Sequence, residues 1–151
     1  VREAARTLRD ELEDRGLESY LRTSGGKGLH VVVPFTPRRH WPFVGAFTRE
    51  VVEALVAREP GRYTATMSKA KRGGKVFVDH FRNGRGATSV TSYSLRARPG
   101  APVAVPISWD ELGRTRGGGD WTAERVLRRL RGRDDPWADF PATGRRQKLE
   151  E

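Results

Sequence analysis

Cysteine is absent from this chain of 151 residues. No disulfide framework, thiolate metal site or cysteine nucleophile can therefore form, and a reducing cytoplasm is compatible with the composition. The chain also lacks any apolar run near the roughly 20 residues that a membrane-spanning helix needs, and no signal-peptide pattern opens it. Nothing in the sequence suggests secretion or a membrane partner.

Acidic residues are scarce in the middle of the chain. Residues 15–49 contain only Glu18 and residues 60–109 only Asp79, whereas the whole sequence has 29 lysines and arginines against 19 acids. The net charge of +10 favours polyanionic partners, with nucleic acid the first candidate. Because arginine outnumbers lysine 24 to 5, codon bias is an alternative explanation for the charge. The uneven distribution of the acids is the stronger reason to expect a basic surface.

Hydrophobic periodicity predicts three helices and several strands. Apolar residues recur at helical spacing near the start of the chain and again, every fourth residue, in Trp41–Arg58. A third helix is predicted over residues 122–131, after a flexible glycine linker at 117–119 and a short turn that Ser108 caps. The β-branched runs predict strands at residues 17–22, 31–35, 62–66, 75–81 and 88–93.

The strands that follow the second helix are expected to pair antiparallel. Asn83-Gly84 is a dipeptide typical of tight hairpins, and it lies between two of these strands. The elements together predict an α+β fold with a mostly antiparallel sheet flanked by helices. The chain begins without methionine and directly in a helical pattern, so we expect it to be part of a larger domain.

A glycine-rich turn, Ser24-Gly-Gly-Lys-Gly-Leu-His30, is the first candidate site. Glycine backbones such as Gly25 can approach an oxyanion closely, and the side chains of Ser24, Lys27 and His30 can donate to phosphate oxygens. The spacing is not that of a Walker P-loop, and a strand rather than a helix is predicted to follow. A hairpin turn with a solvated lysine is the structural alternative.

Asp79 is the second candidate, because it is the one acid among eight lysines and arginines between Ser68 and Arg98. An aspartate within a predicted strand is costly in β propensity and desolvation unless a partner compensates. A divalent metal ion beside a polyphosphate would compensate it. A structural ion pair between Asp79 and an arginine is the alternative.

Arg96 and Arg98 are the third candidate, since they point the same way if a strand continues through them. A guanidinium can hold two phosphate oxygens at once, so the pair could neutralise a polyphosphate. Arginines on a solvated strand face are the alternative. The four tryptophans are interpreted as core or helix anchors rather than base-stacking platforms.

Several stretches of the chain form a longer pattern: Thr23-Ser-Gly-Gly-Lys-Gly-Leu-His30, Ser68-Lys-Ala-Lys-Arg72, Val76-Phe-Val-Asp79, Arg82-Asn83 and Tyr93-Ser-Leu-Arg-Ala-Arg98. The pattern continues through residues 102–112 and Asp135-Pro-Trp137. In order and spacing it closely resembles the polymerase domain of bacterial ligase D, which belongs to the archaeo-eukaryotic primase superfamily and serves non-homologous end joining. The resemblance implies a portion of a primase-type polymerase palm.

The resemblance implies roles for several residues. Ser24, Gly25, Lys27 and His30 would bind the triphosphate of an incoming NTP or dNTP, Arg96 would grip the same group, and Arg72 would lie near the same cavity. The implied activity is primer extension and gap filling in the bacterial cytoplasm, at the nucleoid. The implied partners are DNA ends with a 5′-phosphate, gaps and overhangs, the Ku protein, and a fused or separate ATP-dependent DNA ligase.

The resemblance also assigns Asp79 as the catalytic carboxylate that binds the metal ion, Mn²⁺ or Mg²⁺, of which the complete domain holds two. The family's Asp-x-Asp pair has no counterpart, because that motif occurs nowhere in this sequence. We therefore expect residues 1–151 to be a partial primase-type domain that is inactive alone. A non-catalytic DNA- or nucleotide-binding module is the alternative. Four acids on the first predicted helix are interpreted as solvated: Asp10, Glu11, Glu13 and Asp14.

Overall fold

The computed structural model describes residues 1–150. The elements follow in the order α1 (Arg2–Asp14), β1 (Tyr20–Thr23), β2 (Leu29–Val32), α2 (Trp41–Arg58), β3 (Tyr63–Thr64), β4 (Val76–Phe77), β5 (Pro106–Ile107), α3 (Ala123–Leu130) and α4 (Phe140–Arg146). Two 3₁₀ turns, Lys69–Lys71 and Trp109–Arg114, lie in the connections. Within residues 1–150 every helix is too short or too polar to cross a lipid bilayer.

β1 is the central strand of a three-stranded antiparallel sheet with the order β2-β1-β5. The glycine-rich turn joins β1 to β2 as a hairpin, in which Arg22 and His30 are direct cross-strand partners. Helices lie outside this sheet, and the Ser108 side chain caps the second 3₁₀ turn as predicted. The predicted α+β fold, with a mostly antiparallel sheet flanked by helices, is confirmed.

α1 contacts both the sheet and α2, so it joins the sheet to that helix. Ala5 joins a buried cluster with Leu21 and Ile107 of the sheet. Leu12, further along the same helix, packs with Val51 of α2 in a second cluster. Because side chains of β1 and β5 are packed in this core, the strand that leads into the hairpin turn is held in place.

The acids of α1 are not all solvated, so that interpretation is wrong for Glu11. This residue is 7% exposed, and its carboxylate accepts hydrogen bonds from Arg15 at 3.1 Å and from Arg58 at 3.0 Å. The two arginines compensate the burial of its charge. Arg58 comes from α2, and a partner so distant in sequence leaves no trace in the periodicity of α1.

β3 and β4 pair in parallel, so the antiparallel set predicted for residues 62–93 is wrong. Their connection, residues 65–75, contains a 3₁₀ turn and the positive-φ pair Gly73-Gly74. It carries the chain back to the start of β4, which a tight hairpin cannot do. We call residues 65–75 the crossover loop. Three exposed lysines lie along it: Lys69, Lys71 and Lys75.

No hairpin forms at Asn83-Gly84, and residues 88–93 form no strand. A type I′ turn needs positive φ at both central residues, yet in residues 80–90 only Gly86 has one, at +77°. The Asn83 amide instead donates to the carbonyl of His80 at 2.9 Å. The side chain of Asn83 therefore stabilises a local turn, and the segment after it is irregular.

α4 is the helix that the sequence patterns do not predict. The hydroxyls of Thr143 and Tyr20 lie 2.8 Å apart, which ties this helix to β1. Just beyond the helix, the Gln147 amide donates to the carbonyl of Pro34 at 2.6 Å and accepts from the N–H of Glu18 at 2.7 Å. Because polar groups and a single aromatic residue, Phe140, which packs against the ring of Tyr20, anchor α4, it has no apolar period by which it could be recognised.

Glu111 links α3 to the 3₁₀ turn that precedes it. Its carboxylate accepts from the N–H of Ser108 at 2.9 Å and from Arg129 of α3 at 2.6 and 2.9 Å. Burial raises the pKa of Glu111, but the hydrogen bonds from Arg129 and Ser108 and the charges of Arg129 and Arg133 outweigh it. The net effect holds the pKa of Glu111 below its ordinary value.

Replacing Glu111 with glutamine is expected to destabilise the fold by about 1.5–3 kcal/mol near neutral pH. Glutamine can still accept from Ser108, but it leaves the buried Arg129 without an anion. Since the folded pKa lies below the ordinary 4.5, the contribution of the carboxylate is complete above that value and is lost as pH falls through the folded pKa. Urea unfolding from about pH 7 to about pH 3 measures this. A wild-type advantage that stays constant with pH would contradict it.

Candidate nucleotide-binding site

The turn between β1 and β2 folds around the hydroxyl of Ser24. Its oxygen accepts hydrogen bonds from the N–H groups of Gly26 and Gly28, each at 3.1 Å. The N–H of Ser24 donates to the carbonyl of Gly28 at 3.1 Å, and Gly25 has a φ of +65° that favours glycine. Ser24 therefore organises the turn, and only its O–H hydrogen is left for a ligand.

Two backbone donors of the turn are unused. Within residues 1–150 the N–H groups of Gly25 and Lys27 make no hydrogen bond; Lys27 is exposed, whereas Gly25 is buried. Free N–H groups in a tight turn, with a cation beside them, form the kind of concavity that binds phosphate. The glycine-rich hairpin thus has backbone N–H donors that no other group in residues 1–150 uses.

Arg96 and Arg98 lie against this turn. A Cβ atom at Gly25 would overlap Cγ of Arg96, and one at Gly26 would lie 3.5 Å from the guanidinium carbon of Arg98. Arg96 is held in place by its N–H, which donates to the carbonyl of Pro102 at 2.9 Å. The structure therefore brings the predicted arginine pair to the predicted phosphate turn, although residues 96–98 are not in a regular strand.

Residues 117–119 pack against the backbone of the glycine-rich turn, so they are not the flexible linker that was predicted. Gly118 is buried, and a Cβ atom there would overlap the carbonyl oxygen of Gly28. Two backbones can approach so closely only where a side chain is missing. The carboxylate of Asp120, next to the triplet, pairs with Arg125 of α3 at 2.8 Å. Residues 117–119 are therefore linked to α3 through the ion pair of Asp120.

His30 follows the turn on β2 and is partly buried. Its Nδ1 lies 3.0 Å from Nη2 of Arg22, its cross-strand partner. Burial lowers the pKa of His30, the charges of Arg22, Arg96 and Arg82 lower it further, and Asp79 raises it. The charges of Arg96 and Asp79 thus act on the same ring in opposite directions.

Asp79 lies in a turn after β4, not within a strand as predicted. Its Oδ1 accepts from the N–H of Phe81 at 3.0 Å, and this side-chain bond to the backbone turns the chain. The side chain is exposed. None of the ion pairs in residues 1–150 involves Asp79, so the alternative of a structural aspartate–arginine pair is not observed.

The donor set around Asp79 does not fit the two-metal site that the resemblance implies. In the part of the chain that the structure describes, no group of three or more His, Cys, Asp or Glu residues is arranged to hold a metal ion. A two-ion site needs several carboxylates around cations about 3.5–4 Å apart. Asp79 supplies one hard oxygen donor, which suits Mg²⁺ or Mn²⁺ but does not complete a site.

Arg72 is committed to the crossover loop. Its guanidinium donates to the carbonyls of Thr66 at 3.2 Å and Met67 at 2.8 Å, and lies 4.1 Å from the ring centroid of Phe77. Within residues 1–150 no hydrogen bond or ring contact joins Arg72 to the glycine-rich turn. A nucleotide contact by Arg72 stays a prediction.

Arg22 and residues 117–119 are the parts of this region that the sequence patterns miss. Arg22 and His30 are equidistant from Gly26, so a symmetric hairpin would pair them, and that spacing was an available signal. The glycine triplet gives no comparable signal, because its partner is a backbone that lies far away in sequence.

One large concave region, about 930 Å³, lies away from the turn, between the α1–β1 connection, α2 and the end of α4. Two of its arginines are already neutralised, since Arg15 pairs with Glu50 at 2.8 Å and Arg146 with Glu18 at 2.5 Å. This concavity is therefore a weaker candidate for an anionic ligand than the turn.

Comparison with known proteins identifies relatives over nearly the whole chain. The family described as LigD, primase-polymerase domain, matches residues 1–137. The multifunctional non-homologous end joining protein LigD of Pseudomonas aeruginosa is 43% identical over 142 residues, which are 93% of this chain and 16% of that protein. Its namesake in Mycolicibacterium smegmatis is 40% identical over 110 residues, 73% of this chain and 14% of that protein. The chain thus spans about a sixth of the length of these relatives.

A solved structure shares the fold. The polymerase domain from Mycobacterium tuberculosis ligase D, in complex with DNA, matches with a TM-score of 0.85 at 35% sequence identity. The match covers 93% of this chain and 49% of that one. The helices and sheets described above are therefore arranged as in about half of that domain.

Proposed function

This chain belongs to the LigD primase-polymerase family, and we propose that its glycine-rich turn binds the triphosphate of a nucleotide that is added to a DNA 3′ end. The observation that carries the proposal is that two separate stretches meet, because Arg96 and Arg98 pack on Gly25 and Gly26. Transfer of a nucleotidyl group needs cations and N–H donors around the phosphate oxygens, on which charge builds up.

Each group of the turn contributes a donor in this proposal. Arg96 presents a guanidinium that can hold two oxygens at once, Lys27 presents an ammonium, and His30 presents one ring N–H. The free N–H of Lys27, an exposed residue, adds a backbone donor in a turn that Ser24 holds in position. Donors fixed before the ligand arrives need no reorganisation when charge develops.

Divalent metal ions are general cofactors of this family, and we propose that Asp79 supplies one oxygen ligand to Mn²⁺ or Mg²⁺. Such ions, when bound, activate the attacking hydroxyl and neutralise phosphate charge. Because residues 1–150 group no further acids around Asp79, the remaining ligands would come from polypeptide outside them. The matched ligase D domain is about twice as long as the part it shares with this chain, which leaves room for those ligands.

The proposed partners follow from the charge and from the relatives. A net charge of +10 suits DNA, and the matched ligase D domain is itself in complex with DNA. The relatives are named for non-homologous end joining. We therefore propose that the complete protein fills gaps and extends overhangs at 5′-phosphorylated DNA ends with NTP or dNTP, beside Ku and a DNA ligase, in the bacterial cytoplasm.

Nucleotide binding by this chain tests the proposal. Arg96→Ala is expected to weaken the affinity for ATP by about 10- to 100-fold, because hydrogen bonds to a charged group contribute about 1.5–3 kcal/mol. Arg49→Ala is the matched control, since it removes an exposed arginine of α2 that has no hydrogen bond within residues 1–150. Both variants change the net charge equally, and calorimetric titration at fixed salt compares them. Equal affinities for wild type and Arg96→Ala would overturn the assignment.

A non-catalytic DNA- or nucleotide-binding module is the second candidate function. It is favoured by the finding that no acidic cluster in residues 1–150 is arranged to hold a metal ion. Such a module would bind DNA with a steep salt dependence, because each phosphate contact releases counterions. It would never extend a primer, whereas a polymerase that carries these residues would.

A further inference from the structure

Arg22 is a buried cation without an anion. It is 9% exposed, and in residues 1–150 no acidic side chain pairs with it. Its guanidinium donates to the hydroxyls of Ser92 at 3.4 Å and Ser89 at 3.3 Å, and lies 5.7 Å from the ring centroid of Trp137. Burying a charge is costly unless it is paired, so the place of Arg22 at this position calls for a reason.

The shortest polar contact of Arg22, which is to His30, explains why an arginine occupies this buried position. Its Nη2 lies 3.0 Å from Nδ1 of His30. A guanidinium stays protonated in proteins and has donors only, so Nδ1 must be the acceptor and carry a lone pair. In the neutral ring the single proton then lies on Nε2. Protonation of Nδ1 would set two donors against each other and break this contact.

The backbone holds the two side chains together. Arg22 and His30 are direct partners in the β1–β2 ladder, so both project from the same face of the hairpin. On the far side, Ser89 and Ser92 restrict the guanidinium to one orientation. The contact is therefore built into the register of the sheet and does not depend on flexible loops alone.

We propose that Arg22 is a positioning residue that fixes His30 as the neutral imidazole protonated on Nε2, so that the ring offers one N–H donor to a nucleotide phosphate. The donor role rests on the proposed function, whereas the fixed tautomer does not. It follows that His30 acts as a neutral donor and not as a cation. The surrounding charges agree, since burial, Arg22, Arg96 and Arg82 lower the pKa of His30 against the opposing effect of Asp79.

Nitrogen NMR of the whole chain with ¹⁵N-labelled histidine tests the fixed tautomer directly. The ring nitrogens report separately which one carries the proton, and His40→Gln and His80→Gln assign the three signals. For His30 near neutral pH we expect the Nε2–H form to be preferred by about 10- to 100-fold, as suits one charged hydrogen bond. An Nδ1–H ring or an imidazolium at His30 in the wild-type chain would overturn the proposal without any variant at Arg22.

Variants at Arg22 test the cause. Arg22→Met removes the donor and is expected to bring the two tautomers of His30 to within a few-fold of each other, whereas Arg22→Lys, which keeps a cationic donor, is expected to restore the preference in part. If Arg22→Met does not fold, the double variant Ser89→Ala and Ser92→Ala loosens the guanidinium and should reduce the same preference. A His30 spectrum unchanged in the folded variant would refute the role of Arg22.

Addition of ATP separates this proposal from the proposed function. If His30 donates to a phosphate, its Nε2 resonance is expected to shift at saturating ATP while the tautomer stays the same. The His40 signal, from an exposed residue before α2, serves as the control. An unmoved Nε2 resonance would reject the donor role, and the tautomer measured without ATP would still decide the role of Arg22.

Discussion

Replacement of Asp79 by asparagine is expected to abolish primer extension by the natural protein that carries these residues, while its thermal stability stays the same. Asparagine keeps an oxygen at the Oδ1 position, so it can still accept from the N–H of Phe81 and preserve the turn. It lacks the negative charge that makes a carboxylate a strong ligand for Mg²⁺ or Mn²⁺. A loss of about 10³-fold or more in rate is expected, since metal-assisted charge stabilisation contributes several kcal/mol.

Two further variants isolate the charge of Asp79. Asp79→Ala removes the turn contact as well, so it should lose the same activity and also some stability. Asp110→Asn neutralises an exposed acid of the second 3₁₀ turn and should leave extension unchanged. Primer extension measured beside thermal unfolding separates the two effects. If Asp79→Asn extends primers at the wild-type rate, another residue holds the metal ion.

Replacement of Gly118 by alanine should weaken both the fold and nucleotide binding. The new Cβ atom would overlap the carbonyl of Gly28, and the displaced turn would lose the positions of its free N–H groups. Forcing one extra methyl group into a packed site costs about 1–3 kcal/mol. We expect a loss of that size in unfolding free energy and a roughly tenfold weaker affinity for ATP.

Gly117→Ala is the matched control, because a Cβ atom at Gly117 would have no neighbour within 4 Å. It makes the same chemical change one residue earlier and should alter stability by less than about 0.5 kcal/mol. Denaturant unfolding and ATP titration of both variants test the contrast. Equal behaviour of the two alanine variants would mean that the triplet does not support the turn.

Local patterns predict those elements whose formation is decided locally. α2 has apolar residues at every fourth position and a proline in its first turn, and it forms with the predicted bounds. Ser108 and Glu111 have the spacing of a reciprocal cap, and both hydrogen bonds of that cap are present. The β1–β2 hairpin also forms around the glycines that mark it.

Long-range contacts decide the elements that local patterns assign wrongly. β4 ends at Phe77 because its partner in the register, Thr64, is the last residue of β3. The N–H of Val78 makes the final hydrogen bond to β3, to the carbonyl of Thr64 at 2.9 Å, and Asp79 then turns the chain through Phe81. β propensity alone cannot predict where β4 ends, since the length of a paired strand depends on the length of the strand beside it. The same holds for the glycine triplet, whose packing depends on a turn about ninety residues earlier in the chain.

The candidate site could be predicted in part. Motif order identified the turn and Arg96 as one group, and the structure brings them into contact. Chemistry within the turn was less accessible, because the Ser24 oxygen is already used by the N–H groups of Gly26 and Gly28. The roles of these residues toward a nucleotide remain predictions that the experiments above test.

The uneven distribution of lysine has a practical consequence. Only five of the 29 basic residues are lysines, and three of those lie on the crossover loop. A fourth, Lys27, lies in the glycine-rich turn, and the last is Lys148. Acylating reagents or a lysine-specific protease would therefore report on these two loops and on Lys148, which follows α4. Neither method would report on the parts of the chain in which every basic residue is an arginine.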